Sequence, residues 1–282
     1  MRTKRLLAFL IALCMLTSIS ISAFAAKVHP DNTGEEEISP HTIIGTDNRT
    51  KVTNTSVKGP NAVCKLTLQF RKANGTIVKK YASGFLYSRQ NVGTAGHAIY
   101  DPGLRLYVEQ ITVSPGISPS GKLVPDQIVS RNNCHVHPSY VKNATSGEIN
   151  SYYDYGAIVL PKAFVSPSGY FGLDNELSNS DYTTKYLTLA GYDAKSNQQY
   201  KERSNKKVSS VTNYFLEVRY DTLPGMSGSP IYNDERYVVG ILTYGASSSE
   251  TIPESDPRTN SAQRMNQSCF NFLMEYYIKP AS

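Results

Sequence analysis

A histidine, an aspartate and a serine with the chemistry of an acyl-transfer site stand far apart in this sequence. His97 ends a run of small residues, 92–96, and a strand end there would hold its imidazole rigidly. A general base for an alcohol nucleophile needs such support within about 3 Å of the hydroxyl. The alternative is a buried histidine with a structural role only.

Asp154 stands just before the apolar run 157–160, which predicts a buried strand. A carboxylate at the edge of a buried strand needs a polar partner. The N–H group of a histidine is such a partner, and the contact fixes the tautomer that leaves the other ring nitrogen free to accept a proton. The alternative is a turn residue that initiates the strand.

Ser227 lies within the octet LPGMSGSP at 223–230, where Gly225 and Gly228 permit a sharp turn. Successive backbone N–H groups of such a turn converge on one point. We therefore expect Gly225 and Ser227 to form an oxyanion hole beside a Ser227 nucleophile. A glycine-rich turn without function is the alternative.

The elements that would position these residues are short apolar or alternating runs, bounded by Gly, Pro, Asn and Ser. The runs are 63–70, 81–87, 92–95, 104–113, 157–160, 186–191, 214–220, 231–232 and 237–244. Repeated short strands without helix-length periods predict an all-β barrel or sandwich. At the C-terminus, Met265, Cys269, Phe272, Leu273 and Tyr276 recur at spacings of three and four. That stripe predicts one helix packed on the body of the protein.

The N-terminus predicts an exported protein. Basic residues precede an apolar run, 6–21, that ends in Ala23, Phe24 and Ala25, which is typical of a cleaved signal peptide over 1–25. A polar stretch follows and predicts a pro-segment over 26–42, which leaves a domain over 43–282 with an internal boundary near 165–180. We expect a secreted, extracellular monomer. We expect no stable membrane association, because serines and threonines dilute the apolar run.

Composition excludes some classes of site. The formal net charge of +6 is diffuse, and no basic run indicates a nucleic-acid surface. Metal binding at Cys134, His135 and His137 is disfavoured because no second ligand pair stands at zinc spacing. An oxidising compartment permits a disulfide between two of Cys64, Cys134 and Cys269, and the sequence leaves open which pair bridges and whether any does.

Five segments resemble landmarks of the chymotrypsin superfamily: TAGH at 94–97, HPSY at 137–140, DYGAIVL at 154–160, GMSGSP at 225–230 and GILTYG at 240–245. The order His, Asp, Ser agrees with that superfamily. Five segments resemble bacterial glutamyl endopeptidases more closely: IIGTDNRTKVTNT at 43–55, AGHAIYD at 95–101, TVSPG at 112–116, YDYGAI at 153–158 and GYFG at 169–172.

The resemblance implies two six-stranded antiparallel β-barrels, a C-terminal α-helix and a triad in the cleft between the barrels. It implies a secreted serine endopeptidase that acts on proteins or peptides without a cofactor. Some relatives bind a structural calcium, but no acidic cluster identifies a calcium site here. The alternatives are a catalytically inert binding module and a secreted esterase with the same triad.

The resemblance also implies a substrate pocket. Its residues are Asp221, Thr222, Leu242, Thr243, Tyr244 and Gly245, with Thr243 beside Asp154. Leu242 stands where glutamyl endopeptidases carry a histidine, and Asp221 stands where trypsin selects Arg and Lys. Three substrate preferences therefore stay open: Glu or Asp before the cleaved bond, Arg or Lys there, or a broader pocket.

Activation of the enzyme is predicted to differ from that of trypsin-type zymogens. Met226 replaces the aspartate that those zymogens pair with a freed ammonium group. We expect cleavage near residues 41–43 to expose a new N-terminus close to the pocket instead.

Overall fold

The computed structural model describes residues 42–146, 151–164, 169–246 and 251–278. The predicted signal peptide lies outside the described residues, as does the predicted pro-segment apart from Thr42. In chain order the strands are β1 (Ile43–Ile44), β2 (Thr50–Lys51), β3 (Val63–Arg71), β4 (Ile77–Leu86), β5 (Asn91–Thr94), β6 (Tyr100–Asp101), β7 (Leu106–Tyr107), β8 (Gln110–Pro115), β9 (Gln127–Ser130), β10 (Cys134–Val136), β11 (Gly156–Val159), β12 (Gly172–Leu173), β13 (Leu187–Tyr192), β14 (Gln199–Ser204), β15 (Val208–Val211), β16 (Phe215–Val218), β17 (Pro230–Asn233), β18 (Tyr237–Tyr244), β19 (Thr251–Ile252) and β20 (Asn260–Arg264). The α-helices are α1 (Pro138–Ser146), α2 (Asn179–Thr184) and α3 (Gln267–Glu275).

The first sheet has seven strands in the order β10-β11-β5-β4-β3-β8-β9, all antiparallel. Its long central pair, β3 and β4, buries apolar side chains such as Leu66, Phe70 and Phe85. Burial of such side chains is the main favourable term that holds the sheet closed around its core.

The second sheet has nine strands, eight of them in the antiparallel order β15-β16-β20-β18-β17-β13-β14-β2, with β12 paired in parallel to β18. Its core includes Leu189, Leu216, Tyr220 and Leu242. The first sheet forms the first barrel and the second sheet forms the second barrel. Strand β2 comes from the start of the described chain and pairs with β14, so residues that precede the first barrel stabilise the second barrel.

The predicted all-β architecture with a C-terminal helix is confirmed. Edge strands of two to four residues, such as β2, β9 and β10, raise the strand count above the six per barrel that we expected. The predicted strand over 104–113 is two separate strands, β7 and β8. Helices α1 and α2 were not predicted from the sequence.

Helix α3 packs on the first barrel, as its apolar stripe predicts. Cys269, Phe272 and Leu273 belong to the same buried core as the first-sheet strands. Asn266 caps the helix by accepting the Cys269 N–H at 2.9 Å. The Tyr87 hydroxyl donates to the Leu273 carbonyl at 2.9 Å and fastens the last turn.

All three cysteines of the described chain, Cys64, Cys134 and Cys269, are free and buried. They lie on three separate elements, β3, β10 and α3. The disulfide that the sequence left open is therefore not formed. Within the described residues, no helix has both the length and the apolar character needed to cross a bilayer.

Candidate active site

His97 and Asp154 are brought together by the register of two neighbouring strands. Gly156 on β11 pairs with Thr94 on β5, so the residues just before β11 meet the residues just after β5. The Asp154 carboxylate accepts the His97 backbone N–H at 2.8 Å with one oxygen. Its other oxygen lies 2.8 Å from His97 Nδ1. Asp154 is fully buried, so both contacts form away from water.

The pair shifts the protonation of the imidazole. Burial opposes the charged form of His97, but the Asp154 carboxylate outweighs burial and raises the pKa above the ordinary 6.5. The nearby Asp101 carboxylate also raises this pKa, whereas Lys80, which pairs with Asp101 at 2.7 Å, lowers it. His97 Nε2 is buried and has no hydrogen-bond partner among the described residues.

Ser227 lies at the end of the tight turn 223–227, which contacts β4, the strand paired with β5. Its carbonyl accepts the Ser83 N–H on β4 at 2.7 Å, and the Thr94 hydroxyl donates to the Ser83 carbonyl at 2.8 Å. The Ser227 hydroxyl donates to the Thr243 carbonyl at 3.3 Å. Ser227 is almost fully buried, at 3% exposure. The serine turn is thus held by β4, and its neighbour β5 ends just before the histidine turn.

Glycines flank the serine because the backbone there has positive φ. Gly225 has φ +95° and Gly228 has φ +83°, in the left-handed region that favours glycine. A Cβ on Gly228 would collide with the Ser83 carbonyl and the Thr94 hydroxyl. The turn therefore packs against the first barrel too closely for any side chain at this position.

Tyr140, which is buried, and Tyr244, which is half-buried, complete the surroundings of Asp154. The Tyr244 ring lies 5.5 Å from the His97 ring, centroid to centroid. Burial, and next the Asp154 carboxylate, hold the pKa values of Tyr140 and Tyr244 well above 10. Both hydroxyls are therefore neutral beside the carboxylate. Tyr140 was not among the predicted site residues, although the HPSY segment contains it.

The backbone and side chain of Thr243 have different partners. The resemblance places Thr243 beside Asp154, but its hydroxyl donates to the Ser261 carbonyl at 3.1 Å. The neighbouring Leu242 is fully buried in the core of the second sheet. Gly245 follows β18 and is half-buried.

The Asp221 carboxylate accepts hydrogen bonds from other residues of the same chain. One carboxylate oxygen accepts the Ile44 N–H at 2.8 Å, and the other accepts the Asn48 backbone N–H at 2.8 Å and its side-chain amide at 3.3 Å. Asp221 is fully buried. Its backbone N–H donates to Glu202 at 2.8 Å. Asp221 therefore anchors the segment before the first barrel.

Thr222 contacts the first described residue of the chain. The Thr222 hydroxyl accepts the Thr42 N–H at 3.0 Å, and the Thr222 N–H donates to the Thr42 carbonyl at 3.2 Å. The Asn260 side chain donates to the same carbonyl at 3.0 Å. The beginning of the domain is thus fixed at the predicted pocket threonine.

A protein-family model described as Trypsin matches residues 52–261, well over half of the chain. The chain belongs to the trypsin family. The resemblance to chymotrypsin-type serine proteases that the sequence motifs indicated is thereby confirmed. Serine proteases of this fold generally need no cofactor. Within the described residues, no group of three or more His, Cys, Asp or Glu side chains is placed to hold a metal ion.

Two curated relatives of this trypsin-family chain are similar over most of its length. A glutamyl endopeptidase of Bacillus licheniformis is 28% identical over 206 residues, which are 73% of this chain and 59% of the relative. An extracellular metalloprotease of Bacillus subtilis is 28% identical over 219 residues, which are 76% of this chain and 66% of the relative. The chain thus spans less than two thirds of the length of each relative.

Solved structures share the fold of this trypsin-family chain. A Glu endopeptidase in complex with MPD superposes with a TM-score of 0.67 at 20% identity, covering 83% of this chain and 98% of that one. The protease Anisep of Arthrobacter nicotinovorans gives a TM-score of 0.59 at 13% identity, covering 81% of this chain and 98% of that one. The predicted chymotrypsin-like two-barrel fold is confirmed by this likeness.

Proposed function

We propose that this chain is a secreted serine endopeptidase with His97 as general base, Asp154 as its partner and Ser227 as nucleophile. The observation that carries the proposal is the His97–Asp154 contact at 2.8 Å just after β5, whose neighbour β4 holds the Ser227 turn. The buried Nε2 atom of His97 has no hydrogen-bond partner among the described residues, which leaves it available to accept the serine proton.

In the proposed reaction, Nε2 of His97 takes the hydroxyl proton while Oγ of Ser227 attacks the peptide carbonyl carbon. The backbone N–H groups of Gly225 and Ser227 donate to the oxyanion. His97 then gives its proton to the leaving amine as the C–N bond breaks. Water attacks the acyl-enzyme with His97 again as base, which releases the acid product and restores the serine hydroxyl.

Substitution of the nucleophile tests the proposal. Wild type is expected to form a covalent adduct with a fluorophosphonate at Ser227 and to cleave peptides, and S227A is expected to do neither. Mass spectrometry of the labelled peptide locates the adduct. Absence of any adduct in wild type favours an inert binding module. Ester hydrolysis without peptide cleavage favours the esterase.

For substrate preference, we propose selection of Glu or Asp over Arg or Lys at the residue before the cut. A substrate cation at Asp221 would have to compete for a carboxylate that already accepts three N–H donors. The name of the Bacillus licheniformis relative, a glutamyl endopeptidase, also supports an acidic preference. Mapping of cut sites in a peptide library decides the question, and cuts after Arg or Lys would contradict the proposal.

Maturation is proposed to occur near residues 41–43. The Thr42 N–H lies 3.0 Å from the Thr222 hydroxyl. Cleavage just before Thr42 would therefore turn this amide into an ammonium at the pocket threonine. We expect protein that begins at Ala26 to cleave acidic substrates less efficiently than protein that begins at Thr42. Equal kcat/KM for the two forms would contradict this maturation scheme.

A further inference from the structure

Arg49 is a buried cation that the proposed reaction does not use. Its side chain is only 3% exposed. The guanidinium forks onto the Asp47 carboxylate at 2.9 and 2.7 Å and lies 4.8 Å from the centre of the Tyr200 ring. Its third nitrogen points at the Met226 sulfur, 3.8 Å away. A buried charge is costly unless it is paired. Asp47 supplies that pairing charge, and the remaining guanidinium nitrogen is left to contact Met226.

Met226 connects Arg49 to the serine turn. It lies between Gly225 and Ser227, whose N–H groups form the proposed oxyanion hole, and it is fully buried. Its sulfur accepts the Leu223 N–H at 3.4 Å, and its own N–H donates to the Leu223 carbonyl at 3.0 Å. The Met226 side chain therefore folds back beneath the turn, and a group that fixes this side chain also fixes the two N–H donors.

We infer that Arg49 is a positioning residue that supports the 223–227 turn from beneath, through the Met226 side chain, and so keeps the oxyanion hole formed. The inference rests on the proposed serine-protease function. Arg49 is an internal residue of the chain, so its support does not depend on a new N-terminus. In this chain a guanidinium against a thioether occupies the position where trypsin-type zymogens use an ammonium against a carboxylate.

The test compares R49M with R203M. Arg203 is a matched control because it also forks onto an aspartate, Asp234, at 3.0 and 2.6 Å and covers a tyrosine ring, Tyr186, at 4.1 Å. It is half exposed, and none of the hydrogen bonds and ion pairs given for it among the described residues joins it to the serine turn. Both variants retain a long unbranched side chain and lose the guanidinium charge. The readouts are kcat, KM and affinity for a peptide aldehyde, whose adduct places an oxygen in the oxyanion hole.

R49M is expected to lose at least about tenfold in kcat and in aldehyde affinity, with KM within about twofold of wild type. Outright removal of an oxyanion donor costs about 10²–10³ in kcat, so the loss of a support should be smaller. R203M is expected to match wild type in all three. Equal values for the two variants, or a higher KM with unchanged kcat in R49M, would overturn the inference.

A second variant covers the case in which R49M does not fold. R49K keeps the charge and the stem but not the planar fork, so an intermediate loss of kcat is expected at an unchanged unfolding midpoint. Wild-type kcat in R49K would overturn the inference. Failure of this inference can be told from failure of the proposed function. If the proposed function were wrong, wild type itself would show neither peptide turnover nor a Ser227 adduct.

Discussion

At the scale of single residues, Asp154 has two separate effects on His97. One carboxylate oxygen fixes the backbone of the histidine turn, and the other faces the ring nitrogen. The first contact sets the position of the proposed base, and the second sets its tautomer and its affinity for a proton. Substitution by asparagine retains the shape but removes the charge.

In D154N, the acid limb of kcat/KM is expected to move to lower pH. The base must be neutral, so wild type loses activity as the pH falls through a His97 pKa raised above 6.5. Without the carboxylate, burial dominates and lowers that pKa. We also expect kcat to fall by about 10⁴ because the tautomer is no longer fixed. Kinetics across the neutral range checks this, and an acid limb that stays or moves upward contradicts it.

Asp221 is predicted to act on stability rather than on selection of a cationic substrate residue. D221N keeps one acceptor oxygen and places an amide donor against the N–H group of either Ile44 or Asn48. Such unsatisfied donors cost about 1–3 kcal/mol each, so the free energy of unfolding in urea should fall by about that amount. D234N, at an exposed ion pair, should change it by less than about 1 kcal/mol. A change of cleavage preference at unchanged stability would show that Asp221 serves the pocket.

At the scale of elements, the turn at 223–228 depends on its close approach to β4 and β5. The backbone of Gly228 combines a left-handed conformation with contact to Ser83 and Thr94. Gly75 has a similar φ of +87° without a close contact, so it isolates the cost of the left-handed conformation. A Cβ added to Gly75 would meet no atom of the described residues within 4 Å.

G228A is expected to destabilise the protein by more than G75A. The alanine at position 75 costs only the conformational penalty of about 1–2 kcal/mol. At position 228 the methyl group also displaces backbone, so we expect a further cost of at least about 1–3 kcal/mol and loss of fluorophosphonate labelling. Urea unfolding and labelling rates measure both. If G228A and G75A behave alike, the close packing of the turn on the first barrel is refuted.

The predictable elements were those with strong local patterns. The alternation along β3 and the apolar stripe of α3 indicated their structure because each buries one continuous face. Helix α1 was missed because only Tyr140 and Ala144 are buried along it. The use of Asp221 and Arg49 was also missed, since each depends on a residue more than 170 positions away. The segments around His97, Asp154 and Ser227 could be identified without knowing any distant contact, because flanking glycines and apolar strands mark them locally.

At the scale of the whole molecule, the two ends of the described chain brace different barrels. The segment 42–52 joins the second sheet through β2 and Asp221, and α3 packs on the first core. Packing and hydrogen bonds provide this bracing without any disulfide among the described cysteines.

Reducing agent is therefore expected to leave the thermal midpoint of unfolding unchanged. The three described thiols are buried on separate elements, and burial raises the pKa of Cys134 to about 12 and those of Cys64 and Cys269 further. Thiolates, the species that react, are correspondingly rare in the folded state. Melting curves with and without dithiothreitol measure the effect. A lower midpoint after reduction would reveal a stabilising disulfide.

The anchoring of Ile44 on Asp221 also bears on biosynthesis. The two residues are 177 positions apart, and the second must leave the ribosome or the export channel before they can meet. Contacts of such long range form late and slowly. An elongating chain thus carries its histidine and aspartate long before the cleft of the proposed protease is complete.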